Sequence, residues 1–162
     1  MKPGWFSHPV ISVLLAASWL LLQQSVAVPQ LITAAVLALV LPRLLHGFLG
    51  PPTHPRALAT SIRLVLLVVW DIVVANLTVA RIVLTPWSRP QPAWVPVALD
   101  AQSPTAITLL AAIITMTPGT VSCVVDDQQH VILVHALDCA DPAALAADIK
   151  ARYEAPLKEI FG

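Results

Sequence analysis

Charge is what this 162-residue chain has least of: 11% of it is Asp, Glu, Lys or Arg, against 57% hydrophobic residues. A soluble domain carries about 25% charged residues. The shortage excludes a disordered chain, a nucleic-acid binder and an ordinary cytosolic enzyme. Glycine is scarce as well. None of the five glycines stands in a G-x-G-x-x-G or G-x4-G-K-[ST] context, so no phosphate-cradling loop is encoded. G-x-S-x-G and H-E-x-x-H are missing too, and no Ser, Cys and His share a triad context, so no catalytic residue is expected. Only two cysteines occur. Cys123, His130, His135 and Cys139 lack the close Cys pair of a zinc site, and the odd spacing of the histidines sends them to opposite faces of a strand. No metal or cofactor is therefore expected, and the cysteines read as small apolar fillers.

The charges that remain are sorted along the chain. Residues 1–92 hold six Lys and Arg against the single Asp71, a net +5, and residues 93–162 hold three against eight acids, a net −5. A basic apolar membrane region (1–92) followed by an acidic water-exposed domain (93–162) is the division this implies. From Pro3 to Pro42 there is no charged residue at all. The run breaks at Gln23, Gln24, Ser25 and Pro29, which reads as a membrane hairpin over about 10–45, Val10–Ala27 then Gln30–Leu45. The second arm is short, because Arg43 follows 13 residues after Gln30, so a re-entrant or tilted hairpin is a further possibility. The rival is a secretory signal cleaved after Ser25-Val26-Ala27; a second apolar run starting at once argues against it. Gly47–His54, rich in Gly and Pro, must turn.

A third span is expected over about 62–84, its apolar stretch Leu64–Ala80 bracketed by Arg63 and Arg81. Asp71 falls near its middle. An ionised Asp there costs at least about 2.5–3.5 kcal/mol on insertion scales, so it should face protein or water. Ala75 and Thr78 share its helix face and are small enough to admit a neighbouring helix, while Asn76 lies about 140° away. Two readings stay open for Asp71 and its neighbours: a subunit contact that locks helices together, or a station on a cation or proton path.

After Arg81 the pattern changes. Prolines interleaved with Trp87 and Trp94 read as an interfacial linker. Val95, Val97 and Leu99 alternate as a strand, and Ser103-Pro104 opens a helix to about Met116 that Thr117-Pro118-Gly119-Thr120 stops. Gly119 should take a positive φ there. Thr120–Asp126 and Val131–Leu137 read as a hairpin, and Asp141-Pro142 opens a last helix whose apolar stripe Leu145, Ile149, Tyr153, Leu157 and Ile160 contains a kink at Pro156. The order β-α-β-β-α predicts a small α+β domain, ferredoxin-like but short of the last strand. The helix ending at Met116 spans only about 20 Å and is too short to cross a bilayer about 30 Å thick.

Several segments resemble a known family. Trp70-Asp71-Ile72, Ala75-Asn76-Leu77, Val79-Ala80-Arg81, Thr117-Pro118-Gly119-Thr120, Val134-His135-Ala136-Leu137-Asp138 and Ile149-Lys150-Ala151-Arg152-Tyr153-Glu154 are similar to the E subunit of multisubunit Mrp-type (Mnh, Pha) cation/proton antiporters. The resemblance covers nearly the whole chain. It implies an accessory subunit of a bacterial inner-membrane complex exchanging Na⁺ or K⁺ for H⁺, supporting assembly beside other membrane subunits in the lipid bilayer. The alternative is a membrane-anchored protein-binding module with no part in transport, although an anchor has no use for a midplane Asp. With three spans, the positive-inside rule puts the tail outside, because Lys2, Arg43, Arg56 and Arg63 outnumber Arg81 and Arg89. The resemblance instead implies a cytoplasmic tail.

Overall fold

A computed structural model describes residues 9–45, 56–126 and 128–162, so the turn expected over Gly47–His54 lies outside the described residues. The chain divides into two compact units, Met1–Thr53 and His54–Gly162. The first holds α1 (Pro9–Gln23) and α2 (Val28–Leu44), joined at Gln24, whose φ is 48°. Ala34 and Ala38 are buried one turn apart on α2, where small side chains let two helices approach closely. The Trp19 indole Nε1 donates to the Gln30 Oε1 at 3.2 Å and ties the arms together.

The second unit begins with α3 (Leu58–Leu84), 27 residues long. It continues through β1 (Ala93–Ala98), α4 (Pro104–Met116), β2 (Thr120–Asp126), β3 (Val131–Ala136), α5 (Pro142–Ile149), a π-helical turn (Lys150–Glu154) and α6 (Ala155–Phe161). The sheet is antiparallel in the order β1-β3-β2. Alternation works as expected on β1 and β3: Val95 and Val97 point inward with Ile132, Val134 and Ala136. Pro96 is tolerated because β1 is an edge strand. Cys123 sits in a bulge between Ser122 and Val124.

Sheet and helices enclose one core, with Leu110 and Ile114 of α4 and Leu157 and Ile160 of α6 at its centre. Leu64 and Val68 of α3 belong to the same core. Chain composition changes at 92/93, but the packing boundary lies at 53/54, because α3 is held by the tail. Pro156 does not simply kink the last helix. It has no N–H to give the Arg152 carbonyl, and the chain widens ahead of it, with the Ala155 N–H bonding back to the Lys150 carbonyl. Asp141 caps α5 as expected, its Oδ1 accepting from Ala143 and Ala144 at 3.0 Å each. Ser103 precedes α4 without a side-chain cap bond; Pro104 in the first turn has already removed one donor that a cap would satisfy.

Candidate functional site

Asp71 meets the tail. Its carboxylate pairs with the Arg152 guanidinium and accepts a hydrogen bond from the Tyr153 hydroxyl at 2.8 Å. The three residues come from α3 and from the π-helical turn, 81 and 82 positions along the chain. An α-helix places successive residues 100° apart, and the wider turn helps Arg152 and Tyr153 to reach one carboxylate together. The Asp71 side chain is 13% exposed. The hydrogen bond and charge of Asp71 push Arg152 above its ordinary pKa. Burial first, and Asp71 second, push Tyr153 up to about 12.

This ion pair floors a cleft of about 300 Å³ between α3 and the ends of α4, β3 and α5. Ala75, Thr78 and Val79 line one wall; Thr117–Thr120, Asp138 and Asp148 line the other. Gly119 has φ 93°, and a Cβ built there would stand 3.3 Å from Val79 Cγ2. The turn thus needs glycine twice, for the backbone and for the close approach of α3. Thr120 Oγ1 donates to the Ile114 carbonyl at 2.7 Å and Leu137 N–H to the Gly119 carbonyl at 2.8 Å, so the turn also closes the sheet on α4. Gly119→Val adds a β-branched side chain at positive φ, a cost on the order of 1–2 kcal/mol before any clash. The expected result is less of the protein in membranes by immunoblot, with Gly119→Ala between Val and the native residue.

The remaining expected site residues divide. Thr78 lines the cleft, its hydroxyl bonded back to the Val74 carbonyl at 3.0 Å. Asn76 points elsewhere, exposed and donating to the Ile72 carbonyl at 2.7 Å. Asp138 Oδ1 accepts from Gln91 N–H at 3.0 Å and ties the linker to the sheet. His135 packs edge-on against Trp94, centroids 4.8 Å apart, on the sheet's other side. His130 has φ 51° in the β2–β3 turn, so it is not a strand residue paired with His135.

Sequence reasoning passed over Glu154, which is 1% exposed. Its Oε1 accepts from the backbone N–H of Asp100 at 2.6 Å and of Ala101 at 2.9 Å, and its Oε2 pairs with Lys150 at 3.1 Å. Lys150 also meets Asp100 at 3.0 Å. Burial works against the lysine's charge, but the two carboxylates outweigh it and raise its pKa, while Lys150 lowers that of Asp100. The only signal was a block of polar residues, Lys150, Arg152 and Glu154, inside an apolar helical stripe.

The tyrosine gives a direct test, being the single one in the chain. A folded-state pKa near 12, above the ordinary 10.0, favours the neutral phenol, so its contribution to stability is complete below pH 10 and disappears as pH rises toward 12. Tyrosinate absorbance of the purified protein should show a midpoint near 12, falling in Asp71→Asn. A midpoint near 10 contradicts the buried placement.

Comparison with known proteins follows the whole chain. A family model described as Na⁺/H⁺ ion antiporter subunit matches residues 12–160. The E subunit of a probable K⁺/H⁺ antiporter of Rhizobium meliloti (strain 1021) is 34% identical over 158 residues, covering 97% of this chain and 98% of that protein. The E subunit of a Na⁺/H⁺ antiporter of Alkalihalophilus pseudofirmus is 27% identical over 151 residues, covering 93% and 96%. A chain from the membrane-bound sulfane sulfur reductase, an archaeal respiratory membrane complex, shares the fold with a TM-score of 0.73, covering 94% of this chain and 98% of that one at 24% identity.

Proposed function

The chain belongs to the family of Na⁺/H⁺ ion antiporter subunits, and from that premise we propose that it is an accessory membrane subunit of a multisubunit Na⁺ or K⁺/H⁺ antiporter, supporting assembly and exchange. The observation that carries the accessory role is the Asp71–Arg152–Tyr153 contact. A carboxylate already neutralised by a guanidinium and bonded to a phenol has little left to offer a passing cation. Asp71 is therefore a clamp that holds the apolar α3 to the acidic domain, and Thr78, Thr117–Thr120 and Asp138 shape the cleft around it. Asn76 stands outside the cleft, its side-chain amide satisfied by the Ile72 carbonyl of its own helix, and has no part in the clamp.

The order β1-β3-β2, with α4 crossing between the two outer strands, supports a ferredoxin-like arrangement without its fourth strand. The tail lies on the cytoplasmic side of a bacterial inner membrane. Purification of the tagged subunit from native membranes in mild detergent tests the function. Recovery with several very hydrophobic chains that exchange Na⁺ or K⁺ for H⁺ after reconstitution is expected. A lone species, or one carrying a soluble partner, supports the anchored binding module instead.

A further inference from the structure

Among the described residues, α3 is the one helix long and apolar enough to cross a membrane. Its contacts speak against crossing. The tail follows it from end to end: Arg56 N–H donates to the Ile160 carbonyl at 3.1 Å, Thr60 Oγ1 to Glu159 Oε1 at 2.7 Å, Asp71 meets Arg152 and Tyr153, and Val79 abuts Gly119. From Thr60 to Val79 the helix rises about 28 Å, close to the full thickness of a bilayer's hydrocarbon core. An upright α3 would carry the whole α+β domain into that core. The domain has outer sheet edges on β1 and β2, and acids such as Asp100 and Asp148 more than half exposed. Open sheet edges do not occur facing lipid, and carboxylates this exposed, even ion-paired as these are with Lys150 and Arg152, are costly there.

The helix is instead two-sided. Leu64, Val68, Asp71, Ala75 and Val79 face the domain at three- and four-residue spacing. On the opposite arc stand Ile62, Leu66, Val73, Leu77 and Leu84, 49 to 79% exposed and without a charge among them. Arg63 and Arg81 are 18 residues apart, five turns, and so share one shoulder between the two faces. Trp70 stands near that shoulder, and Trp87 follows the helix, 65 and 88% exposed.

We propose that α3 lies in the plane of the membrane surface, its outer face sunk into the lipid of the leaflet and its inner face roofed by the acidic domain. The occupant of the exposed face is the bilayer itself. An apolar arc with arginines on its shoulder and tryptophans beside it suits the headgroup boundary, where guanidinium groups meet anionic phosphates and indoles straddle the interface. The inference goes beyond the antiporter reading and does not depend on it.

Sidedness then follows from the sequence. With α3 in the plane, the hairpin expected from the sequence over about 10–45 supplies an even number of passes, and a chain with an even number of passes ends on the side where it starts. Lys2, Arg43, Arg56, Arg63, Arg81 and Arg89 all fall on that side, whereas Gln23–Gln30 at the hairpin tip carries no charge. The positive-inside rule then places the tail in the cytoplasm, and the conflict that three spans create disappears.

Spin labels measure this. In a Cys123→Ser/Cys139→Ala background, Ile62→Cys, Leu66→Cys, Val73→Cys, Leu77→Cys and Leu84→Cys are labelled in the assembled complex in native-lipid nanodiscs. Oxygen and nickel-chelate accessibilities give the depth of each. The expected result is one shallow depth for all five, about 5–10 Å below the headgroup boundary. A depth that peaks near Val73 and falls at both ends means a span and overturns the proposal. Protection from both reagents means a neighbouring subunit's helix covers the face and overturns it equally. Because the background could disturb assembly, a benzophenone side chain at Val73 in the native chain gives a second readout: cross-linking to phospholipid is expected, and cross-linking to protein alone contradicts it. Co-purification of partner chains reports separately on membership in an antiporter.

Discussion

Asp71→Leu should cut the yield of assembled complex several-fold, and adding Arg152→Leu to the same chain should restore part of it. The single change leaves the Arg152 charge and the Tyr153 hydroxyl facing an aliphatic side chain. An orphaned polar partner costs roughly 1–3 kcal/mol. The Arg152 side chain is 38% exposed, so water softens the loss and the larger penalties of fully buried pairs do not apply. Removing both charges relieves the mismatch, which is the signature of a direct pair in a double-mutant cycle. Asp71→Asn keeps an acceptor for Tyr153 and should assemble better than Leu. Its Na⁺/H⁺ exchange in everted vesicles should scale with the amount of complex present. Normal assembly of Asn with exchange abolished would show that Asp71 binds or titrates with the transported ion, against the clamp.

Glu154→Ala is expected to destabilise the tail domain more than any surface change. The buried Ala101 N–H and the part-buried Asp100 N–H lose their acceptor, and Lys150 loses one of its two carboxylate partners. The buried Ala101 donor alone costs about 1–3 kcal/mol when orphaned, and a loss of about 2 kcal/mol lowers the unfolding midpoint of a domain this size by roughly 10 °C. Glu154→Gln still accepts from both amides and should lose clearly less. Thermal unfolding of the purified subunit, read by protease sensitivity of the tail, distinguishes the two. Equal losses for Ala and Gln would mean the charge with Lys150 matters, and the bonds to Asp100 and Ala101 do not.

The elements of the fold were legible because each is written locally. Alternation at Val95–Leu99 and Val131–Leu137 marks strands, Asp141-Pro142 marks a helix start, and Thr117–Thr120 a helix stop, Gly119 taking the positive φ that such a stop requires. The partnership of Asp71 was not legible, since its partners lie 81 and 82 residues away and hydropathy reads each segment alone. Average apolarity makes α3 a span; only the domain-facing row Leu64, Val68, Asp71, Ala75, Val79 betrays a helix with an inside and an outside. Glu154 was hidden for a related reason. A carboxylate on a helix that starts apolar reads as solvated unless the loop it caps, here Asp100–Ala101, is known to pass beside it.

In the working complex α3 and the tail should move as one body. A short bifunctional thiol reagent tests it between Thr60→Cys and Glu159→Cys, whose native side chains are hydrogen-bonded at 2.7 Å, in assembled complex lacking Cys123 and Cys139. Efficient cross-linking within one chain, with assembly retained, is the predicted result. Two thiols that each react readily with a monofunctional maleimide yet never join would show that α3 stands apart from the tail, and would contradict it.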